Sequence, residues 1–334
     1  MEPTAQGNSA ITIEAPLNEG TERRLADDVL DGLTRPFKEL APKHFYDARG
    51  SQLFEAICGQ PEYYPTRTEL AILEAQAGEI VRRAGRPTEL VELGCGATVK
   101  ARLVLEAMAD GPGAPLRYVP VDVSESVVVQ AAEELTASYP DMRVHGVVGD
   151  FERHLDRVPP SRRGEPRIVA FLGGTIGNFP PGTRRGVLRN VAALLGPEDH
   201  LVLGTDLVKD PAVIEAAYND RAGVTAEFNR NMLHVMNREL DADFDPQAFE
   251  HVAFFDRRRH WVEMRLRARR PCTVNLVALD LQVEFAAGEE LRTEVSAKFT
   301  RRRLQRDFAA AGLVLRGWYT DPDELFAITL AGRR

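Results

Sequence analysis

Apolar positions along the chain fall into two recurring patterns. Runs at 89–93, 116–121, 143–148, 167–172 and 200–205 are apolar almost throughout and read as strands buried on both faces. Segments 67–84, 99–108, 124–138 and 183–195 carry their apolar residues at helical spacing. The alternation predicts a parallel sheet wound with helices. After Asp206 the pattern changes, with helices predicted over 212–217 and 225–240. Period-two segments follow over 252–255, 261–266, 274–277 and 281–285 and read as an antiparallel meander. The first pattern then returns as a helix over 301–311, a stop at Gly312 and strands over 313–319 and 325–330. The link Asp321-Pro322-Asp323-Glu324 is too short for a crossover, so these two strands must run antiparallel. Residues 1–20 are polar with scattered glycine and proline and read as a flexible tail.

The most informative stretch is Val91-Glu92-Leu93-Gly94-Cys95-Gly96 with Lys100 after it, a strand running into a glycine turn and a helix. Glycine accepts positive φ and lets a ligand approach the backbone. A nicotinamide fingerprint needs a third glycine where this chain has Val99, and an acid nearer than Asp122. A cation in the first turn of a helix opposes the macrodipole, so Lys100 makes most sense if it meets a ligand carboxylate. That favours an amino-acid-bearing nucleotide such as S-adenosylmethionine. Asp122 ends the second strand, where a ribose diol would be gripped, and Asp150-Phe151 follow the third, where adenine would lie. One aspartate in such a place is most often a cap or turn residue; recurrence after successive strands points to a ligand.

The glycine-rich loop 173–181 leaves the next strand at the same end of the sheet. Gly173 and Asn178 could supply carbonyl acceptors that hold an amine and aim its lone pair, or the loop could be a structural turn. Glu294 and Ser296 are two apart on a predicted strand and so face one way, either towards an imidazole or towards solvent. Met264 could line an aromatic ligand or simply fill core. Tyr46, Tyr63 and Tyr218 could present phenols to a cleft or pack internally.

A parallel sheet closed by an antiparallel hairpin is the Rossmann-like class I methyltransferase plan, an α/β fold, here with an inserted second α+β domain. The expected division is a tail at 1–20, a substrate-binding domain from 21–66 and 208–297, and a donor-binding domain from 67–207 and 298–334, with the ligand in the cleft between them. Acidic residues outnumber basic ones by 50 to 42, which argues against a nucleic-acid partner and makes the arginine clusters 257–259 and 301–303 solvated faces. The three cysteines are too far apart for a ligand pair or a disulfide framework, and the histidines show no metal spacing, so no metal is expected. No apolar run reaches bilayer length, and the N-terminus lacks a secretion signal. A cytoplasmic monomer, off the membrane, is the expectation.

The chain resembles the L-histidine Nα-methyltransferases of ergothioneine biosynthesis. The resemblance rests on Lys43-His44-Phe45-Tyr46-Asp47, Pro61 to Arg67, Phe171 to Asn178, Leu203 to Asp210, Phe228-Asn229-Arg230-Asn231 and Thr293-Glu294-Val295-Ser296. It implies three methyl transfers from S-adenosylmethionine to the α-amine of L-histidine, giving hercynine. It also implies that Tyr46, Gly94, Lys100, Asp122, Asp150 and Phe151 hold the donor. Asn178 and Tyr218 would bind the substrate carboxylate, with Asn178 and Gly173 also near the reacting amine; a proton must leave that amine, and Tyr46 or a water is the expected route. Tyr63, Met264, Glu294 and Ser296 would surround the imidazole. Cys95, Gly174 and Ala97-Thr98-Val99 depart from the serines and threonines usual there, which bears on donor affinity. Two other readings keep the fold: methylation of another aromatic amino acid, or a non-catalytic protein that binds the donor.

Overall fold

The computed structural model describes residues 10–16, 25–110, 116–150, 153–161 and 165–334. In chain order its strands are β1 (Ile11–Glu14), β2 (Lys38–Glu39), β3 (Glu89–Leu93), β4 (Arg117–Asp122), β5 (Arg143–Val148), β6 (Arg167–Phe171), β7 (His200–Asp206), β8 (Phe249–Asp256), β9 (Trp261–Ala268), β10 (Cys272–Leu276), β11 (Leu281–Phe285), β12 (Glu290–Ala297), β13 (Leu313–Thr320) and β14 (Phe326–Arg333). The helices are α1 (Leu25–Leu33), α2 (Ala48–Cys58), α3 (Tyr64–Arg83), α4 (Val99–Ala109), α5 (Glu125–Ser138), α6 (Pro181–Leu194), α7 (Pro211–Tyr218), α8 (Val224–Glu239) and α9 (Arg301–Ala310).

Eight strands form the main sheet in the order β1-β5-β4-β3-β6-β7-β14-β13. All pairs from β1 to β7 are parallel, and β14 runs antiparallel to both β7 and β13. Every residue of β3 and β6 is buried, because helices cover both faces. Chain order reverses between β3 and β6, so the ends of these neighbours diverge and leave a crevice at their carboxyl edge. The Gly94 turn and the Gly173 loop flank that crevice.

Two expectations need correction. Part of the supposed tail is a strand: Ile11 to Glu14 pairs with Val144 to Val147 and covers the sheet edge, its Ile-Thr-Ile-Glu alternation supplying one half-buried side. The supposed meander is also broken. β8 and β9 form a hairpin, but β10 and β11 make a separate two-stranded sheet, and the chain then returns as β12 on the other side of β9. The short parallel β2 completes a four-stranded sheet, β2-β12-β9-β8. Its buried side shares a core with α1, α2, α7 and α8, through residues such as Phe45, Phe228, Met232, Met264 and Leu266. No helix among the described residues is long and apolar enough to cross a membrane.

Candidate active site

Backbone conformation sets the first wall of the crevice. Gly94 and Gly96 have φ of 76° and 42°, and a Cβ added at Gly96 would meet nothing within 4 Å, so the turn stands open above the strand. Asp122, at the end of the adjacent β4, accepts the Ser124 N–H at 3.0 Å. Burial pushes its carboxyl above the ordinary range despite backbone N–H groups of Ser124, Gly96 and Val123. Beneath it, burial raises Glu92 to about 8, although Tyr118 donates to it. Asp150 follows β5, with Lys43 Nζ 3.8 Å from Oδ2 and its own N–H bonded to His154 Nδ1 at 3.0 Å. Phe151 lies outside the described residues. The open glycine turn and a half-buried carboxylate on the next strand fit a nucleoside that carries an amino-acid tail.

The second wall is the loop after β6, where Gly173 and Gly174 have φ of 77° and 67°. A single 3₁₀ turn, Thr175–Asn178, carries Asn178 half-buried at its end. Gly177 lies against β12, where a Cβ would come within 2.8 Å of the Ala297 carbonyl oxygen. Glycine at 177 therefore lets the Asn178 turn touch the strand that carries Glu294 and Ser296.

On β12 the register against β9 shifts between Arg292 and Glu294, a bulge at Thr293. Thr293 Oγ1 donates to Asn229 Oδ1 at 2.6 Å and lies 3.1 Å from the Met264 carbonyl oxygen, which pins the bulge. Beyond it Glu294 stands opposite Met264, and Ser296 opposite Val262. Glu294 is 8% exposed and its carboxyl bonds to no described residue; burial pushes that carboxyl up to about 7, with Lys298 opposing. Ser296 Oγ is 2.7 Å from the Tyr218 hydroxyl, and Lys298 Nζ donates to both, at 3.0 and 2.8 Å.

Three tyrosines close the cleft. The rings of Tyr63 and Tyr218 meet edge-on at 6.4 Å. Tyr46 packs its ring edge against Phe54 and Phe228 while 40% of its surface stays open. Burial among the surrounding side chains, then the nearby Glu294, Tyr218, Cys58 and Asp122, raise its phenol above the ordinary value. Tyr63 is raised likewise, by burial and then by Tyr218.

Comparison with known proteins decides the family. The chain matches the family described as histidine-specific, S-adenosylmethionine-dependent methyltransferases over residues 25–333. It belongs to that family. It is 50% identical over 309 residues to a histidine N-alpha-methyltransferase of Mycolicibacterium smegmatis, covering 92% of this chain and 95% of that one. The protein of the same name from Mycobacterium tuberculosis is 47% identical over the same shares. Ergothioneine biosynthesis protein 1 of Neurospora crassa is 28% identical over 83% of this chain and 31% of its own length.

This methyltransferase carries polar residues at the site that the sequence reading passed over. Lys298 is fully buried and continues the alternation of Glu294 and Ser296 by two more positions, a signal that was present in the chain. Its third partner is Asp206 at 2.7 Å, which also accepts from the Tyr64 hydroxyl and from Lys209. Burial alone would raise Asp206, but Lys298 and Lys209 hold it below its ordinary value. Burial lowers Lys209 to about 8. Lys100 has a partner that its place in the chain did not reveal. Its ammonium lies 2.6 Å from the buried carboxylate of Glu69, so a cation at a helix start here has a protein counter-ion.

Proposed function

We propose that this methyltransferase transfers three methyl groups from S-adenosylmethionine to the α-amine of L-histidine, with the donor on the β3–β4 side and histidine between the Gly173 loop and β12. In this reading residues 67–207 and 298–334 hold the donor, and 21–66 with 208–297 hold the amino acid. The donor, when bound, supplies a methyl group on a sulfonium. Gly94 leaves room for its tail, Lys100 meets its carboxylate, Asp122 accepts from its ribose, and Asp150 with Phe151 hold the base.

The observation that carries the substrate assignment is Glu294, a buried carboxyl that bonds to no described residue, beside a hydroxyl already fixed by Lys298 and Tyr218. Leaving such a group without a partner is costly, and an imidazole N–H supplies one. Met264 and Tyr63 flank the ring; Asn178 and Tyr218 take the carboxylate. Gly173 and Asn178 hold the amine so that its lone pair faces the methyl carbon. Alignment and exclusion of water carry the rate enhancement. The Tyr46 hydroxyl can pass the amine's proton on to water without itself carrying a charge. Each transfer forms a C–N bond as the C–S bond breaks; one proton leaves the nitrogen for water before each of the three attacks, and the quaternary nitrogen ends the series because it has no lone pair.

Mass spectrometry of histidine incubated with enzyme and donor tests this reading. Histidine should gain one, two and then three methyl masses. Methylation of tryptophan in preference to histidine would transfer the activity to another aromatic amino acid.

A further inference from the structure

Glu69 is the only carboxylate of α3 that the fold buries completely, and three separate elements converge on it. The Gly173 N–H lies 2.9 Å from both of its oxygens. Lys100 Nζ, in the first turn of α4, lies 2.6 Å from Oε2. Gly204, on β7, makes room for it: a Cβ there would fall 2.0 Å from Oε1. The socket thus consists of the helix after the Gly94 turn, the loop after β6 and a side-chain-free position on β7. Lys100 also approaches the Gly173 loop directly, 3.5 Å from where a Gly173 Cβ would stand.

We propose that Glu69 is a positioning residue that ties the donor loop to the acceptor loop, fixing the separation across which the methyl group moves. The proposal rests on the placement of donor and histidine given above. With its N–H committed to Glu69, Gly173 has a carbonyl to offer the ligand, which is the group an amine needs. An ammonium has three protons and Glu69 takes one, so Lys100 is aimed while keeping donors for a ligand carboxylate. Both loops take their positions from one side chain, and displacement of either by about 1 Å is enough to cost on the order of 100-fold in rate.

The experiment compares Glu69→Gln, Glu69→Ala and Lys100→Met by steady-state kinetics and by calorimetric binding of S-adenosylhomocysteine and histidine. Gln keeps an oxygen for the Gly173 N–H in the same socket but no charge for Lys100. Glu69→Gln should retain kcat within about 5-fold while weakening donor-product binding about 10-fold; Glu69→Ala should lose about 100-fold in kcat as well. In a Lys100→Met background, Glu69→Gln should add no further loss of donor-product affinity, because the two act as a pair. Independent, additive losses in that cycle would overturn the proposal, as would equal kinetic impairment of the Gln and Ala variants. Should the Ala variant not fold, the cycle with Lys100→Met decides alone. Failure of the wild-type enzyme to bind histidine would instead overturn the substrate placement.

Discussion

Glu294 and Ser296 stand two residues apart on β12, beyond its bulge, and their side chains differ in one respect: the Ser296 hydroxyl is bonded to Tyr218 and Lys298, whereas the Glu294 carboxyl bonds to no described residue. The serine is oriented before a ligand arrives, and the acid is left for the ligand to satisfy. Substitution at Glu294 should therefore separate the two substrates. Glu294→Ala is expected to weaken histidine binding about 10- to 100-fold, the range for a lost hydrogen bond to a charged group, with S-adenosylhomocysteine affinity nearly intact. Calorimetry with each ligand checks this, and equal loss of both would make Glu294 structural.

The same carboxyl makes the ligand-free protein pH-sensitive. Its folded-state value, near 7, lies above the ordinary 4.5, so the folded state binds more protons between those values. Its contribution to stability is full below about 4.5 and is lost as pH rises through 7. The loss is roughly 3.5 kcal/mol at about 1.4 kcal/mol per unit. Glu294→Gln should therefore raise Tm relative to wild type at pH 8 and change it little at pH 5. A Tm difference independent of pH would contradict this.

Asp122→Ala should act on the other substrate. Removal of the ribose acceptor is expected to weaken S-adenosylhomocysteine binding about 10- to 100-fold while histidine affinity changes little. Fluorescence or calorimetric titration measures both, and unchanged affinity for the donor product would remove Asp122 from the nucleoside site.

Lys298 serves stability as well as the site. Its ammonium is fully buried with Asp206, Tyr218 and Ser296 as partners. Lys298→Met strands Asp206 beside a single remaining ammonium and should cost about 3–5 kcal/mol in urea unfolding. Adding Asp206→Asn should recover part of that loss, because the two sites share one network.

Gly177→Ala tests the contact between the Asn178 turn and β12. A methyl group 2.8 Å from a backbone oxygen has to move the turn, at a cost of about 1–3 kcal/mol. Histidine turnover should fall further than donor-product affinity does.

Legibility in the sequence followed the physics of each element. β3, β5 and β11 have the bounds read from their apolar runs, because a strand buried on both faces or alternating cleanly leaves a local signature. Pairing partners are a different matter. Period two marks 274–277 and 281–285 as strands, yet nothing local says that they leave the sheet and that β12 returns to β9. Charge behaved likewise: the unusual position of Lys100 was visible, whereas its partner Glu69 lies 31 positions earlier on a helix that reads as amphipathic, where one glutamate looks like any other. Glu294 and Ser296 were visible as a same-face pair. What distinguishes them from a solvated face is the burial imposed by α7, α8 and the tyrosines, which only tertiary packing supplies.

The short strand Ile11–Glu14 has a practical bearing on handling the protein. It occupies one side of β5, whose N–H and C=O groups would otherwise be available to strands of neighbouring molecules. A shortened version starting at residue 15, attractive for crystallisation because it trims polar sequence, would uncover that rim and favour clumping at high concentration even with catalysis untouched.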